Sequence, residues 1–313
     1  MKEFEALSIA ECLSLHPQHA VWQIKSVHNE YLNLSTPEGL VTLVKSGYPL
    51  IPFGIEVDLK FNWHVYSIRD KQTVFQTPEK IIIDGVLSIS DYDKCKRVVC
   101  RPRFNRRYDQ TELARRLDII YQCSLKKNKE GGILTYLGEY NPKIFLQREG
   151  QDNKYYGRIW PKFEALVSGI YSKNDKFISD GVCGLLGVGQ GLTPSGDDFL
   201  LGFLCGLRNI GVEHCLAASE KMIEHLVTNA SSRTTTLSAE YIKYGVKGFY
   251  HKRIIDFIEA FNMGSESDMM KKADDLMSLG HFSGVDIMTG FAYGGLTALH
   301  ADTLSFSFKY TND

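Results

Sequence analysis

The sequence contains no long hydrophobic run and almost no net charge, and each absence excludes a class of protein. Its longest apolar stretch, 199–207, is about nine residues, whereas a membrane-spanning helix needs about 20. The 36 lysines and arginines nearly balance the 37 aspartates and glutamates, so no global field attracts nucleic acid or an acidic membrane surface. The sequence therefore predicts neither a nucleic acid partner nor a membrane partner.

Disulfide and zinc-site spacings are also missing. The seven cysteines are scattered, odd in number and never spaced as Cys-x-x-Cys, a pattern that indicates reduced thiols. Residues 1–15 carry three glutamates among their apolar residues and lack the continuous apolar core of a signal peptide. Together these absences predict a cytoplasmic protein.

The first third of the chain has the composition of β-structure. Short runs rich in Val, Ile, Tyr and Trp indicate strands; they are 21–27, 40–44, 55–59, 63–68, 81–89 and 97–100. Thr36-Pro37-Glu38-Gly39 has Pro and Gly where a type I turn prefers them, and Asp84-Gly85 indicates a bulge or tight turn. We expect a β-rich domain over 1–104, either a barrel or a sandwich.

After Arg101-Pro102 the apolar spacing becomes helical. Asp109 can cap a helix with Glu112 three residues later, and Leu113 and Leu117 follow on one face. Further helical patterns occupy 163–170, 199–207, 216–227, 237–246, 254–261, 269–277 and 285–299. The predicted fold class is α+β, with a mainly helical domain over 105–313 that contains a pair of Gly-faced central helices. Polar, Gly-bearing stretches at 127–132 and 147–153 are expected to be surface loops.

One segment, 184–198, combines five glycines, two hydroxyl groups and two carboxylates within fifteen residues. Thr193 is a suitable N-cap and Pro194 suits the first helical position, so a helix is predicted to begin here. A helix start preceded by glycines can hold an anion. The predicted ligand-binding residues of this segment are Gly187, Gly189, Gly191, Thr193, Ser195, Gly196 and Asp197. The spacing fits neither a dinucleotide fingerprint nor a phosphate loop with its lysine.

The end of this segment recurs 88 residues later. Ser195–Gly206 and Ser283–Gly294 share the pattern Ser-Gly-x-Asp-x-x-x-Gly-Phe-x-x-Gly. In each copy the aspartate and two glycines fall at steps of four and share one helix face. Glycine normally destabilises a helix interior, so glycines on matching faces predict two helices that cross closely. We expect Asp198 and Asp286 to face one ligand, with Ser283 and Gly284 contributing to its site.

Three further residues are candidates for the site. His281 lies just before the second copy, next to Ser283, where an imidazole can act as a general acid or base. With Asp198 and Asp286 it is a predicted catalytic residue, and a structural histidine is the alternative. Arg233 and Thr234 place a cation beside hydroxyl groups at a predicted helix start, an arrangement suited to phosphate or carboxylate. An ordinary helix cap is the structural alternative for the Arg233 segment, and a dipole-stabilising charge is the alternative for Asp197.

Three motifs in order resemble the bacterial AllH family, which includes one of the three subunits of oxamate carbamoyltransferase in allantoin catabolism. They are 187–202, 233–238 and 280–286. The sequence departs from the family pattern at Phe282, where a small hydroxyl residue is expected. The resemblance implies an enzyme that transfers a carbamoyl group between carbamoyl phosphate and oxamate, interconverting them with oxalurate and phosphate. It also implies partner subunits.

The residues alone leave two other functions open. A magnesium-dependent hydrolase would use Asp197, Asp198 and Asp286 as ligands, since carboxylates suit Mg²⁺. A noncatalytic subunit would bind a small anionic metabolite without turning it over. The transferase interpretation requires no cofactor, and Mg²⁺ is the metal that the three carboxylates would suit.

Overall fold

A computed structural model of the 313-residue chain describes residues 2–15, 19–103, 109–137, 156–211 and 213–309. The chain divides into two compact units, Met1–Pro102 with Phe249–Ile255, and Arg103–Gly248 with Asp256–Asp313. The first unit is β-structure and the second is helical, which confirms the predicted α+β class. The predicted surface loop at 147–153 lies outside the described residues.

The β-unit is a closed barrel, which decides between the two predicted β architectures. Its strands are β1 Lys2–Ala10, β2 Ala20–Val27, β3 Tyr31–Thr36, β4 Gly39–Lys45, β5 Gly54–Val57, β6 Thr73–Gln76, β7 Lys80–Ile83, β8 Leu87–Ser90 and β9 Lys96–Val98. Around the ring the order is β5-β4-β3-β2-β6-β7-β8-β1, and the β1–β5 pairing closes it. Full closure removes the exposed strand edges. The short β9 adds to β1 in parallel.

Two strand predictions were wrong in detail. The predicted strand at 63–68 is a short 3₁₀ helix, Trp63–Tyr66. Its buried residues, Trp63 and Tyr66, are three apart, and this spacing is helical rather than the period of two that a strand requires. The run 81–89 forms two strands, β7 and β8, because Gly85 adopts a positive φ of 70° in the turn between them. Strands β1, β3 and β6 were not predicted.

Ten α-helices lie among the described residues, and all except the first turn of the eighth belong to the helical unit. They are α1 Gln110–Lys127, α2 Ile133–Leu137, α3 Tyr156–Ser172, α4 Asp175–Leu185, α5 Ser195–Ile210, α6 Glu213–Arg233, α7 Thr236–Gly245, α8 Lys252–Met263, α9 Glu266–Met277 and α10 Ser283–Lys309. The Asp109 side chain caps α1 by accepting a hydrogen bond from the Glu112 amide at 2.8 Å, as predicted. Within the described parts of the chain, no helix has the length and apolar character needed to cross a membrane.

Helices α5 and α10 pack at close range through their glycines. A Cβ at Gly202 would collide with the Ile287 carbonyl oxygen, and one at Gly206 would collide with that of Phe291. The reverse contacts are equivalent, since Gly290 and Gly294 abut the carbonyl oxygens of Phe199 and Phe203. Both pairs are related by the 88-residue offset of the sequence repeat. The structure therefore confirms the predicted pair of Gly-faced helices and gives the repeat an approximate twofold symmetry.

Candidate functional site

The two copies of the Ser-Gly-x-Asp motif form the first turns of α5 and α10, so the helix crossing brings their aspartates together. Asp198 is 5% exposed and Asp286 is 1% exposed. The negative charge of Asp286 is close enough to act on the carboxyl group of Asp198. The predicted convergence of these two side chains is therefore present, and both lie inside the protein rather than on its surface.

The two carboxylate oxygens of Asp286 differ in their hydrogen bonds. Its Oδ1 accepts a hydrogen bond of 2.7 Å from the amide of Ile133, at the start of α2. Its Oδ2 is buried and has no hydrogen-bond partner among the described residues. Burial raises the pKa of Asp286 to about 7, although hydrogen bonds from Ile133 and Ser195 act in the opposite direction. This carboxyl group can therefore gain or lose a proton near neutral pH.

Asp198 has a similar environment made of side chains from the opposite copy. Burial raises its pKa well above the usual range, and the charge of Asp286 adds to this effect. The hydroxyl groups of Ser283 and Thr193 favour the ionised form and oppose the shift. These two hydroxyl groups lie 2.9 Å apart. The Oδ2 atom of Asp198 is buried and unpartnered within the described part of the chain.

Each motif serine faces the aspartate of the other copy. Ser283 interacts with Asp198, and Ser195 interacts with Asp286. Ser195 also donates a hydrogen bond of 3.4 Å to the carbonyl oxygen of Gly131. The repeated sequence therefore builds one polar cluster with approximate twofold symmetry, comprising Thr193, Ser195, Asp198, Ser283 and Asp286.

Asp197 lies next to this cluster but is engaged differently. Its Oδ1 accepts a 2.7 Å hydrogen bond from the amide of Gly187. Its Oδ2 accepts hydrogen bonds from the hydroxyl groups of Thr234 and Ser238, the latter at 2.6 Å. Burial raises the pKa of Asp197, and these three donors oppose that shift. Asp197 therefore fastens the glycine-rich loop to the segment that begins α7.

The Arg233 segment supports this loop through its backbone and hydroxyl groups. The Arg233 guanidinium is exposed and donates a 3.2 Å hydrogen bond to the Cys183 carbonyl oxygen near the end of α4. A Cβ at position 187 would collide with the Arg233 carbonyl oxygen, so the close approach requires glycine there. Thr235 caps α7 and also bonds to the Leu192 carbonyl oxygen. The segment thus holds the loop from one side.

The predicted N-cap of α5 is wrong. The helix begins at Ser195 with Pro194 in the N-cap position, and Pro194 provides no side-chain cap. The hydroxyl group of Thr193 contacts Ser283 instead. Thr193 therefore belongs to the polar cluster rather than to the helix cap.

The remaining predicted residues surround the cluster. Gly196 and Gly284 allow the first turns of α5 and α10 to approach the carbonyl oxygens of Leu185 and Leu276. Gly189 packs against Ser195 with a positive φ of 108°, whereas Gly191 is exposed with open space around it. His281 is exposed, and its ring contacts Phe282 with 4.3 Å between the ring centroids.

A cavity of about 730 Å³ lies in the helical unit beside this cluster. Its wall includes two glycines that contact Ser195, namely Gly131 and Gly189, and the ring of Phe282. The remaining lining residues are Glu130, Thr135, Tyr136, Arg158, Ile159, Lys162, Gly184, Val188 and Gln190. Its volume lies within the range typical of small-molecule sites.

Arg158 and Lys162 give this cavity two positive charges. They lie four residues apart on α3 and therefore share one helix face. Both are exposed, and neither forms an ion pair with a carboxylate in the parts of the chain that the structure describes. Arginine binds carboxylate and phosphate through its forked donors, and lysine adds a point charge. The cavity can therefore attract a small anion.

Sequence reasoning did not identify Arg158, Lys162 or the turn at 131–133. The stretch 127–132 was predicted as a surface loop, but Gly132 is buried and its missing side chain leaves room for Asp286. The Gly131-Gly132 pair was the available signal, since adjacent glycines can mark a close backbone approach. The two cations had no local signal, because a helix surface normally carries such residues.

The carboxylates of this region do not form a three-ligand metal cluster. In the described ranges, no group of three or more His, Cys, Asp or Glu side chains has an arrangement that could hold a metal ion. Both carboxylate oxygens of Asp197 are already used by protein donors. Asp198 and Asp286 remain as two acidic groups with hydroxyl neighbours.

Two family models match this chain. One is described as oxamate carbamoyltransferase subunit AllH and matches residues 185–295. The other is described as the AllH family N-terminal domain and matches residues 5–96. Together they cover more than half of the chain, and the first includes both Ser-Gly-x-Asp turns. No solved structure matches the chain.

Proposed function

Since this chain belongs to the AllH family of oxamate carbamoyltransferase subunits, we propose that its helical unit binds the small anionic substrates of carbamoyl transfer in the cavity beside Ser195. The observation that carries the proposal is a cavity of about 730 Å³ with Arg158 and Lys162 on one wall and the glycine-rich loop on another. Carbamoyl phosphate and oxamate are both small anions, so the charge and the size of the cavity suit them together.

The buried carboxyl pair supplies the second element of the proposal. When oxamate attacks carbamoyl phosphate, a bond forms between the oxamate nitrogen and the carbamoyl carbon, phosphate leaves, and the nitrogen loses a proton. A carboxyl group with a pKa of about 7, such as that of Asp286, can accept a proton at neutral pH. Ser195 interacts with Asp286 and also contacts the wall glycines Gly131 and Gly189, so its hydroxyl group would relay the proton.

The other predicted residues take supporting roles in this proposal. Across the two copies, the charge of Asp286 raises the pKa of Asp198 and the hydroxyl group of Ser283 lowers it. Backbone groups of Gly189 and Gln190 contact the anion at the cavity wall. His281, next to the wall residue Phe282, is a second candidate for proton transfer. We expect turnover to require the partner subunits of the enzyme.

Two other functions, a magnesium-dependent hydrolase and a noncatalytic metabolite-binding subunit, can be compared with this proposal. A magnesium-dependent hydrolase loses one of its three expected ligands, because Asp197 is occupied by Gly187, Thr234 and Ser238. A noncatalytic metabolite-binding subunit would use the same cavity and cations. It would bind carbamoyl phosphate or oxamate but would not change the turnover number of its partners when the cavity is altered.

The test compares Arg158→Gln/Lys162→Gln with the wild type in thermal unfolding with carbamoyl phosphate, oxamate, phosphate and Mg²⁺. A ligand at about 100 times its Kd stabilises the wild type by roughly 2.7 kcal/mol, and the double variant should lose most of this gain. Lys176→Gln on α4 is a matched control, since Lys176 is exposed and lies outside the cavity lining. A double variant that keeps the full carbamoyl phosphate and oxamate response would contradict the proposal.

A further inference from the structure

Two cysteines lie just beyond the ends of β1 and β9 in the β-unit. Strands β1 and β9 pair in parallel with Ser8 opposite Lys96 and Ala10 opposite Val98. The ladder continues with a 2.9 Å hydrogen bond from the Glu11 amide to the Val98 carbonyl oxygen. Cys12 and Cys100 each lie two residues beyond the last matched pair, Cys12 in the turn that follows β1 and Cys100 just after β9.

The two thiols are in direct contact. The side chains of Cys12 and Cys100 interact, and this interaction lowers the pKa of Cys12. The same interaction, together with burial, raises the pKa of Cys100. The Cys12 thiol also donates a 3.1 Å hydrogen bond to the Pro52 carbonyl oxygen, and the Cys100 thiol donates one of 3.5 Å to that of Val98. Cys12 is half-buried, whereas Cys100 is only 2% exposed. One thiol is therefore accessible and favours the thiolate, and the other lies beneath it as its neighbour.

We propose that Cys12 and Cys100 are a redox modification site that a hydroperoxide converts into an intramolecular disulfide. The interaction of their side chains just beyond the β1–β9 ladder is the basis of the proposal, because a disulfide can form only between cysteines that are close neighbours. The half-buried Cys12 reacts first and the buried Cys100 completes the bond.

The hydroperoxide is the only oxidant that disulfide formation requires. The Cys12 thiolate attacks one peroxide oxygen, the O–O bond breaks, and Cys12 becomes a sulfenic acid while the other oxygen leaves as water or an alcohol. The Cys100 sulfur then attacks the Cys12 sulfur, the S–O bond breaks and water leaves. Two thiols are oxidised by two electrons, and the peroxide is reduced. A dithiol reductant reverses the reaction by thiol–disulfide exchange.

Other cysteines provide an internal comparison. Cys95 is half-buried in the same barrel, and burial raises its pKa while its thiol donates to the Tyr92 carbonyl oxygen at 3.2 Å. Cys123 is also half-buried, and burial raises its pKa. Because the thiolate is the reacting form, these two cysteines should react more slowly than Cys12.

The experiment treats the purified full chain with hydrogen peroxide and maps its peptides by mass spectrometry without reduction. We expect a cross-linked pair of peptides containing Cys12 and Cys100, an intact mass lower by two hydrogen atoms, and full reversal by dithiothreitol. In Cys100→Ser the cross-link should disappear, and Cys12 should be trapped by dimedone as a sulfenic acid. Cys95→Ser is the matched control and should form the Cys12–Cys100 cross-link normally.

Three results would overturn the proposal. They are the absence of the cross-linked peptides from the oxidised wild type, a peroxide-induced cross-link that joins Cys95 to either thiol, and alkylation of Cys12 by iodoacetamide no faster than that of Cys95. The first and third readouts use the wild-type chain, so they hold even where a serine variant folds poorly.

Discussion

The two Ser-Gly-x-Asp turns occupy equivalent positions at the starts of α5 and α10, but their side chains make different contacts. In the first copy the variable residue is Asp197, whose carboxylate is fully engaged by Gly187, Thr234 and Ser238. In the second copy it is Val285, which is buried among apolar residues. The final aspartates differ less, since both are buried and both retain an unpartnered Oδ2 within the described residues. The buried aspartate is therefore common to both copies, whereas the residue at the variable position binds the glycine-rich loop in the first copy only.

The largest expected effect on stability concerns the glycine contacts between α5 and α10, which are equivalent in the two copies. Gly202→Ala and Gly290→Ala should each lower the free energy of unfolding by about 3 kcal/mol. The reason is that each added Cβ meets a backbone carbonyl oxygen of the opposite helix, and backbone can move only with its whole helix. Urea unfolding of the two variants measures the effect, and similar losses are expected because the contacts are equivalent.

Gly295→Ala on α10 is the control for this prediction. Its Cβ would meet the end of the Leu117 side chain, which can rotate away. We expect a loss of about 1 kcal/mol or less, partly offset by the higher helix propensity of alanine. If Gly202→Ala is as mild as Gly295→Ala while Gly290→Ala is severe, the two helices do not interlock symmetrically.

The next largest effect concerns the hydrogen bonds of Asp197, which have no counterpart in the second copy. Asp197→Ala should lower the free energy of unfolding by about 3 kcal/mol, because three donors lose their acceptor and unsatisfied buried donors are costly. Asp197→Asn is the matched variant, since its remaining oxygen can still accept the Gly187 amide. We expect it to lose about 1 kcal/mol. Equal stability of the alanine variant and the wild type would show that the loop is held by other contacts.

The fold was predictable to the extent that its signals are local. The helix cap at Asp109, the Gly-faced helices and the strand composition of the first third are all patterns within a few residues. The 3₁₀ helix at Trp63–Tyr66 was missed because aromatic and β-branched residues suggest a strand by composition, while the spacing of the buried pair indicates otherwise. The closure of the barrel by β1 and β5 joins residues about 50 positions apart, and no local pattern encodes such a pairing.

The site was predictable only where the chain repeats itself. The 88-residue repeat predicted the meeting of Asp198 and Asp286, because identical motifs on two helices can pack symmetrically. It did not separate Asp197 from its neighbour Asp198, since adjacent residues on a helix face different directions and their partners come from elsewhere. Arg158 and Lys162 were missed for a similar reason, because their role depends on what lies opposite α3. The catalytic and binding roles of these residues stay predictions.

The smallest effect tests whether the two acids respond alike to pH. The pKa of Asp286 is raised by burial to about 7, so the folded state binds a proton that the unfolded state releases above about pH 4. Stability from this group is therefore present at low pH and is lost as pH rises through about 7. Between pH 6 and pH 8 the wild type should lose about 1 kcal/mol from Asp286.

Asp286→Asn should remove this component, because the asparagine oxygen can still accept the Ile133 amide but carries no titrating proton. Urea unfolding at several pH values measures the difference between the two proteins, and this subtraction cancels the contributions that they share. Asp198→Asn is the mirror variant. It removes the other acid, but the raised pKa of Asp286 comes from burial, so the Asp286 part of the stability loss between pH 6 and pH 8 should remain in this variant. If instead Asp286→Asn keeps the wild-type pH profile, Asp286 does not titrate near neutral pH in the folded protein, and the proton-transfer role proposed for it loses its physical basis.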